Sequence, residues 1–476
     1  MPVFELALTG QALLFLIIIG VFLATGQATI FHPLTIYLGF HALVFVIRPL
    51  LICVFNFDHE FVYMGIRPDP QLLVRVLAVS SLGLIVFAVA SVGLGWCQPQ
   101  FQTHTPAPFI QKQRQALLLL ALTLLPVIAY SIRAGQTDFA VEERGGTYVT
   151  TGASGYTIEA QLMAGPLICA MLAVTRFNRW ALLILVPYVA YRAYAGMSRW
   201  SFVLLFVALG LMYTWQTRRK WLPLWLMVCM LPIFPLFKVI GEDRVLVKEL
   251  ITGEYDPSLR NHTEPGMSAT ERFRAKYDGP DFANFDFLTY VVANVPERTG
   301  MYTHGVQYLQ LFTEPIPRKL WPGKPAGAPV ATFNLNAYGN FLGRTVSLVG
   351  DGWMSGGWLG VAITMALAGV LLGLAHRWFW RHSQNNMVAL IYLVGLAMLP
   401  QWFRDGGISI SKFLFWNLSP LIMWIGLTWM LGNRSLPGYS VWLPVNSRIR
   451  FLYPEAETKP AEASAPDANP TRSLTS

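Results

Sequence analysis

Three cations in a proline-rich stretch are the first residues of this sequence whose type and spacing indicate chemistry. The stretch Glu314–Pro325 holds four prolines around Arg318, Lys319 and Lys324. Because each proline fixes its own φ angle, the cations are carried on a stiff segment. The pattern predicts a site for a specific anion, and a polybasic segment that binds anionic lipid headgroups is the alternative.

Three arginines stand in short turns between apolar runs. Arg192 and Arg199 flank one such turn, and Arg404 precedes Asp405 and two glycines in another. Arginine presents a planar fork of donors that fits phosphate oxygens, so an anion site is the functional interpretation. The structural alternatives are snorkelling of the first two side chains to lipid headgroups and a local contact between Arg404 and Asp405.

One carboxylate and one histidine complete the candidate catalytic set. Asp351 directly precedes an apolar run, and an acid so close to the bilayer is costly unless it is paired or hydrated. We therefore predict that Asp351 accepts a proton during a reaction. His304 is the second candidate base, because histidine titrates near neutral pH. Its alternative is a solvated loop histidine.

The elements that must position these residues are membrane-spanning helices. The chain of 476 residues is 54% hydrophobic and 13% charged, whereas soluble proteins carry about 25% charged residues. Since a span needs about 20 mostly apolar residues, the sequence predicts an all-α polytopic membrane protein with about eleven spans. The predicted limits are Leu6–Ala24, Ile30–Phe55, Leu72–Leu94, Ala116–Ile132, Ile158–Thr175, Trp180–Ala195, Trp200–Gln216, Trp221–Ile240, Gly352–Ala375, Met387–Trp402 and Ile410–Leu431.

The distribution of Lys and Arg predicts which loops face the cytoplasm. Basic residues concentrate in alternate loops, and the positive-inside rule places those loops in the cytoplasm. The polar region 241–350 then lies outside, as one large loop that we expect to contain short helices. Residues 242–297 hold eleven acids against six bases, whereas residues 298–350 hold five bases, Arg344 among them, against Glu314 alone.

The predicted organisation therefore has four parts: spans one to eight (1–240), the large loop (241–350), spans nine to eleven (351–432) and a disordered cytoplasmic tail (433–476). The net charge of +9 fits cytoplasmic loops, and no nucleic-acid partner is expected. The four cysteines form no C-x-x-C pair, and the sequence has no Walker motif, no H-E-x-x-H and no G-x-S-x-G. These absences argue against an ATP-driven pump, a zinc protease and a nucleophile-elbow hydrolase.

The assembled pattern resembles the Wzy-type O-antigen polymerases, also called oligosaccharide repeat unit polymerases. The resemblance covers roughly residues 190–430. One departure is that the position of Asp351 more often holds Glu in such proteins. The matching pieces are Ser198-Arg199, Ile316-Pro317-Arg318 followed by Lys324-Pro325, Gly350-Asp351 followed by Gly356-Gly357 and Gly360, and Arg404-Asp405-Gly406.

The resemblance implies a reaction at the periplasmic face of the bacterial inner membrane. A growing glycan on polyprenyl diphosphate is transferred to another lipid-linked repeat unit, without nucleotide sugar, metal or other cofactor. A chain-length regulator protein and the lipid bilayer are the expected partners. On our hypothesis the catalytic residues are Asp351, Arg199, Arg404 and His304, the substrate-binding residues are Arg192, Arg318, Lys319, Lys324 and Arg344, and the aromatic residues that could stack on sugars are Tyr302, Tyr308, Trp321 and Tyr338.

Two other functions compete with the polymerase. An O-antigen ligase would share the topology and the cationic diphosphate site, and would differ in its acceptor, lipid A–core. Such ligases resemble one another in a loop histidine before a Gly-x-x-Gly segment, and His304 lies far upstream of Gly356. A transporter of the lipid-linked unit is the rival from another class. Transporters are usually built from internal repeats with charges at the bilayer midplane, and the sequence shows no such repeat.

Overall fold

The predicted all-α polytopic class is confirmed by the structure, a computed structural model. Among the residues that the structure describes, eight helical stretches are long and apolar enough to cross a membrane, and two shorter apolar helices accompany them. The structure describes residues 2–97, 99, 109, 111–137, 141–144, 147–150, 155–194, 199–230, 246–253, 268, 273–274, 277–280, 283–313, 316, 320–321, 333–408 and 411–431.

The candidate spans coincide with the apolar runs of the sequence. Ten of the eleven predicted spans are matched by an apolar helix, and the eighth, 221–240, continues beyond the described residues. The eight long stretches are Pro2–Ala24, Pro33–Phe55, Pro70–Leu94, Gln111–Ala134, Thr157–Val174, Ser347–Arg381, Asn386–Asp405 and Phe413–Met430, and the shorter two are Ala181–Arg192 and Val203–Gln216.

The individual helices are numbered here in chain order. They are α1 (Pro2–Ala24), α2 (Pro33–His41), α3 (Arg48–Phe55), α4 (His59–Tyr63), α5 (Pro70–Leu94), α6 (Gln111–Thr137), α7 (Gly155–Glu159), α8 (Ala164–Val174), α9 (Leu185–Tyr194), α10 (Arg199–Gln216), α11 (Leu224–Met230), α12 (Leu246–Thr252), α13 (Asn284–Asn294), α14 (Gln310–Thr313), α15 (Ser347–Arg381), α16 (Asn386–Ala397), α17 (Leu399–Asp405) and α18 (Ser411–Met430).

Shorter elements join these helices. A π-helical turn, Ala42–Ile47, links α2 to α3. Strands β1 (Val141–Arg144) and β2 (Thr147–Thr150) pair antiparallel in one hairpin. In the described part of the chain the 3₁₀ turns are Ala160–Met163, Ala181–Ile184, Val306–Leu309 and Leu335–Ala337.

The starts of several helices follow from local sequence. Asp69 precedes Pro70 at the start of α5, and its side chain accepts a hydrogen bond of 2.6 Å from the Leu72 amide. Asn385 caps α16 by accepting from the Met387 amide at 3.0 Å. A capping side chain satisfies an amide that has no partner inside the helix, and proline suits the first helical position.

The long helix α15 packs closely against α5. A Cβ atom at Gly369 would lie 2.8 Å from the Ala90 side chain and 2.9 Å from the Phe87 carbonyl, so the two backbones approach as only a glycine permits. The helical geometry of α15 is broken at Gly356 and Gly357. The break separates residues 347–355, which are mostly buried, from the longer C-terminal part of α15, which holds Gly369.

The large loop contains the short helices that the sequence predicts. Helices α12, α13 and α14 lie within residues 241–350, and α13 is buried along nearly its whole length. It packs against α15, α5 and α4. The predicted tail, 433–476, lies outside the described residues. The side of the membrane on which each loop lies stays a prediction.

Candidate active site

The Asp351 carboxylate is the centre of the candidate site. It lies in the first part of α15 and is 1% exposed. Its Oδ2 atom accepts a hydrogen bond of 2.6 Å from the Gly407 amide. Within the described part of the chain, its Oδ1 atom has no hydrogen-bond partner. Since buried carboxylates are normally paired, a carboxylate with one unsatisfied oxygen is a candidate for substrate contact.

The turn after α17 is shaped to receive this carboxylate. Gly406 has a φ of 90°, and a Cβ atom there would lie 2.9 Å from the Asp351 carboxyl carbon. A side chain at position 406 would therefore be both strained and blocked. The two glycines therefore let the backbone of this turn approach Asp351 closely.

Arg404 lies on the same turn, at the end of α17. Its side chain is 18% exposed, and its Nη1 atom lies 3.3 Å from Asp405 Oδ1. Gln401 Nε2 donates to the other oxygen of Asp405, also at 3.3 Å. The local Arg404–Asp405 contact that was the structural alternative is thus present. The turn that follows Arg404 still contacts the Asp351 carboxylate, through the Gly407 amide.

A loop segment around Gln307 and Tyr308 also contacts the neighbourhood of Asp351. Gln307 Nε2 donates to Ser355 Oγ and lies 3.5 Å from the Asp351 carbonyl, which also accepts from Ser355 Oγ at 2.7 Å. Tyr308 Oη lies 3.3 Å from Thr364 Oγ1. Burial, and then the nearby Asp351 charge, raise the pKa of the Tyr308 hydroxyl. Residues of three distant segments therefore meet around Asp351.

Two of the four predicted sugar-stacking aromatics, Tyr302 and Tyr308, lie at this place. Tyr308 and Trp402 flank Gly407, since a Cβ atom at 407 would lie 3.4 Å from Tyr308 Cε1 and 3.8 Å from Trp402 Nε1. Tyr302 has its hydroxyl against Gly357, at the break in α15. Tyr338 instead packs on Arg298, 5.1 Å from its guanidinium carbon. Trp402 was not among the predicted residues.

His304, the second candidate base, stands on the same loop segment. It is exposed, has a φ of 51°, and its ring centre lies 6.4 Å from that of Tyr302. Among the described residues it makes no hydrogen bond to Asp351. It therefore lies a few residues before Gln307 and Tyr308, which contact the site, and is not itself hydrogen-bonded to the carboxylate among the described residues.

Arg344 is engaged in an ion pair. Its Nε atom donates to Glu60 Oε2 at 2.8 Å, its side chain is 14% exposed, and its guanidinium lies 4.3 Å from the Tyr63 ring centre. Glu60 is fully buried. Removing either partner of a buried pair leaves an uncompensated charge, so the pair fastens the loop to α4.

Arg192 lies inside the helix bundle. It is buried, its Nη1 atom donates to Gln161 Oε1 at 2.9 Å, and its guanidinium carbon lies 5.9 Å from the Tyr188 ring centre. Snorkelling would put this group in water, so the snorkelling interpretation does not fit. Arg199 begins α10, but its side chain is outside the described part, as are Arg318, Lys319 and Lys324.

Sequence reasoning missed a buried ionic cluster beside the site. Arg48, at the start of α3, donates to both carboxylate oxygens of Asp286 on α13, and its Nη2 atom lies 2.8 Å from Asp278 Oδ1. Burial raises the pKa of Asp286 to about 6, against the opposing effect of Arg48. Two residues earlier, Asn284 Nδ2 donates to the Arg404 carbonyl at 3.0 Å. Helix α13 thus connects this cluster to the turn that carries Arg404.

A second missed cluster lies within the spans. Gln11 Nε2 on α1 lies 3.2 Å from His41 Nε2 and donates to Ser80 Oγ at 3.1 Å and to the Phe45 carbonyl at 2.8 Å. All three side chains are buried. The signal available in the sequence was a polar residue in the middle of each of three apolar runs.

No group of three or more His, Cys, Asp and Glu side chains among the described residues is arranged to hold a metal ion. Comparison of the chain with protein-family models, with curated proteins and with solved structures gives no match. The geometry of the site and the helices that carry it are therefore the basis for a function.

Proposed function

We propose that this chain is a membrane glycosyltransferase that polymerises lipid-linked oligosaccharide repeat units at the periplasmic face of the bacterial inner membrane. The observation that carries the proposal is the Asp351 carboxylate. It is buried and oriented by the Gly407 amide, its Oδ1 atom has no hydrogen-bond partner among the described residues, and it lies beside the turn of Arg404. The product would be O-antigen, capsule or exopolysaccharide.

The proposed reaction is a displacement at the anomeric carbon of the donor glycan. A hydroxyl of the acceptor sugar attacks that carbon, a new glycosidic C–O bond forms, and the bond to the polyprenyl diphosphate breaks. Asp351 takes the proton of the attacking hydroxyl. The diphosphate leaves with the bonding electrons, and Arg404 and Arg199 stabilise its growing negative charge.

The remaining predicted residues would act around this centre. Arg318, Lys319 and Lys324 would hold the diphosphate of the second lipid, with Arg192 as a further cation for the donor. His304 is the alternative base, since it is exposed on the loop segment that contacts the neighbourhood of Asp351. Arg344 would act mainly through Glu60, because its guanidinium is already paired.

The proposal is tested with purified protein and a polyprenyl-diphosphate repeat unit, without nucleotide or added metal. A ladder of glycan products is expected on a gel. Arg404→Ala is expected to abolish the ladder, while Arg75→Ala, which removes an exposed guanidinium paired to Glu297, is expected to leave it unchanged. Transfer of the unit only to added lipid A–core would replace the polymerase by a ligase.

A transporter of the lipid-linked unit is the second candidate, and the Gln11–His41–Ser80 cluster favours it. Buried ionisable and polar groups inside spans often line the path of a transported ion or substrate. Transfer of an intact unit across the bilayer of a liposome, lost in His41→Phe, would support this candidate. The polymerase predicts no such transfer.

A further inference from the structure

The loop segment 301–321 exposes several large apolar side chains, although none of its described residues belongs to a candidate span. Phe312 is 78% exposed and Leu309 61% exposed. A contiguous apolar surface outside the spans indicates contact with lipid or with another protein. The exposed large apolar residues of the segment are Met301, Val306, Leu309, Leu311, Phe312, Ile316, Leu320 and Trp321.

The other side of the segment is fastened to α15 by polar contacts. The Thr303 amide donates to the Met354 carbonyl at 2.9 Å. Gln307 bonds to Ser355, and Tyr308 to Thr364, as described above. The segment is therefore amphipathic: its polar residues face the protein and its apolar residues face outward.

These contacts fix the position of the segment along the axis of the spanning helix α15. Thr364 lies beyond the break in α15, on the longer C-terminal part of the helix. At the same level α15 itself exposes Trp358, Leu359 and Ile363, as a lipid-facing helix does. The segment thus lies beside the first turns of a membrane-spanning helix.

The sequence that follows Phe312 is basic, which suits a membrane surface with anionic headgroups. Arg318, Lys319 and Lys324 stand against Glu314 alone. Apolar side chains followed by basic ones are typical of segments that lie in the membrane interface, where the cations bind anionic headgroups.

We propose that the 301–321 segment is an interfacial membrane-binding element. Its exposed apolar side chains insert between the lipids at the membrane surface. Asp351 then lies directly behind a lipid-contacting wall, so that a lipid-borne substrate reaches it from the bilayer. This last consequence rests on the proposed function, whereas the membrane contact does not.

Spin-label accessibility tests the proposal. In a variant with all four cysteines replaced by alanine, single cysteines are introduced by Leu309→Cys and Phe312→Cys, labelled and reconstituted in phosphatidylcholine–phosphatidylglycerol vesicles. Glu297→Cys is the matched control, because its carboxylate is 63% exposed on the same loop. At 309 and 312, collision with oxygen is expected to be several-fold more frequent than with a water-soluble nickel chelate, and the reverse is expected at 297.

Two outcomes would overturn the proposal. Labels at 309 and 312 that meet the nickel chelate as often as the label at 297 would place the segment in water. Labels that are immobile and reach neither agent would place it against protein. None of these readouts depends on turnover, so the proposed reaction is tested separately.

Discussion

The Asp351 carboxylate accepts a hydrogen bond of 2.6 Å from the Gly407 amide, across 56 residues of sequence. This bond joins the first part of α15 to the turn after α17. It occupies one carboxylate oxygen and fixes the direction of the other. The proposed base and the proposed cation, Arg404, are thereby held on two elements that are hydrogen-bonded to each other.

Replacing the carboxylate by an amide tests the role of Asp351 as base. Asp351→Asn keeps an oxygen for the Gly407 amide and removes the proton acceptor. We expect the elongation rate to fall by roughly 10²- to 10⁴-fold, the usual contribution of a general base, while the melting temperature stays close to that of the wild type. The control is Asp405→Asn, which alters a carboxylate already bound to Arg404 and Gln401. An Asp351→Asn enzyme as fast as wild type would exclude this base.

Gly406 is expected to resist any substitution. In Gly406→Ala the new Cβ atom meets the Asp351 carboxylate, and a residue with φ of 90° is strained by about 1–3 kcal/mol. Thermal unfolding in detergent should show a clear fall in melting temperature. Gly426→Ala, where a Cβ atom meets nothing within 4 Å and alanine suits the helix interior, should not lower it. Equal melting temperatures for the two variants would contradict the described turn.

The Arg48–Asp286 pair predicts a specific dependence of stability on pH. The folded-state pKa of Asp286 is raised from 3.8 to about 6, so the folded protein binds more protons than the unfolded chain between these values. Stability contributed by protonated Asp286 is then present below pH 4 and is lost as the pH rises through 6, with a total on the order of 3 kcal/mol.

Asp286→Asn is expected to remove this part of the pH dependence. The measurement is the melting temperature between pH 4 and pH 7. A variant whose profile parallels that of the wild type would show that Asp286 does not titrate in this range.

A double-mutant cycle separates the structural role of Arg344 from a role in substrate binding. Arg344→Met leaves Glu60 buried without its partner, and the expected loss is about 3–5 kcal/mol of stability. The double variant, with Glu60→Gln added, should recover much of that loss. Independent, additive effects of the two substitutions would mean that the ion pair does not stabilise the fold.

The spans were predictable because each is a local property of the sequence. An apolar run of bilayer length, such as Pro70–Leu94, forms a helix whatever its neighbours are. Asp351 and Arg404 were selected by the same local reasoning, since charge beside an apolar run is costly. The hydrogen bond from Gly407 to Asp351 was not predictable, because the pairing of two distant helices leaves no periodic signal.

Arg48 illustrates what local patterns cannot provide. An arginine inside the second predicted span was visible, but its partners Asp278 and Asp286 lie 230 and 238 residues further along the chain. Arg344 shows the converse. It was selected as a cation for substrate, and the charge that engages it, Glu60, is 284 residues away. Only the fold brings such charges together.

The stoichiometry of the reaction tests the central claim most directly. Purified protein is given a polyprenyl-diphosphate repeat unit, and both the glycosidic bonds formed and the polyprenyl diphosphate released are counted over time. The account predicts one diphosphate lipid released for each bond formed, and neither product from Asp351→Asn or Arg404→Ala. Units that remain intact, or a wild-type rate in both variants, would contradict it.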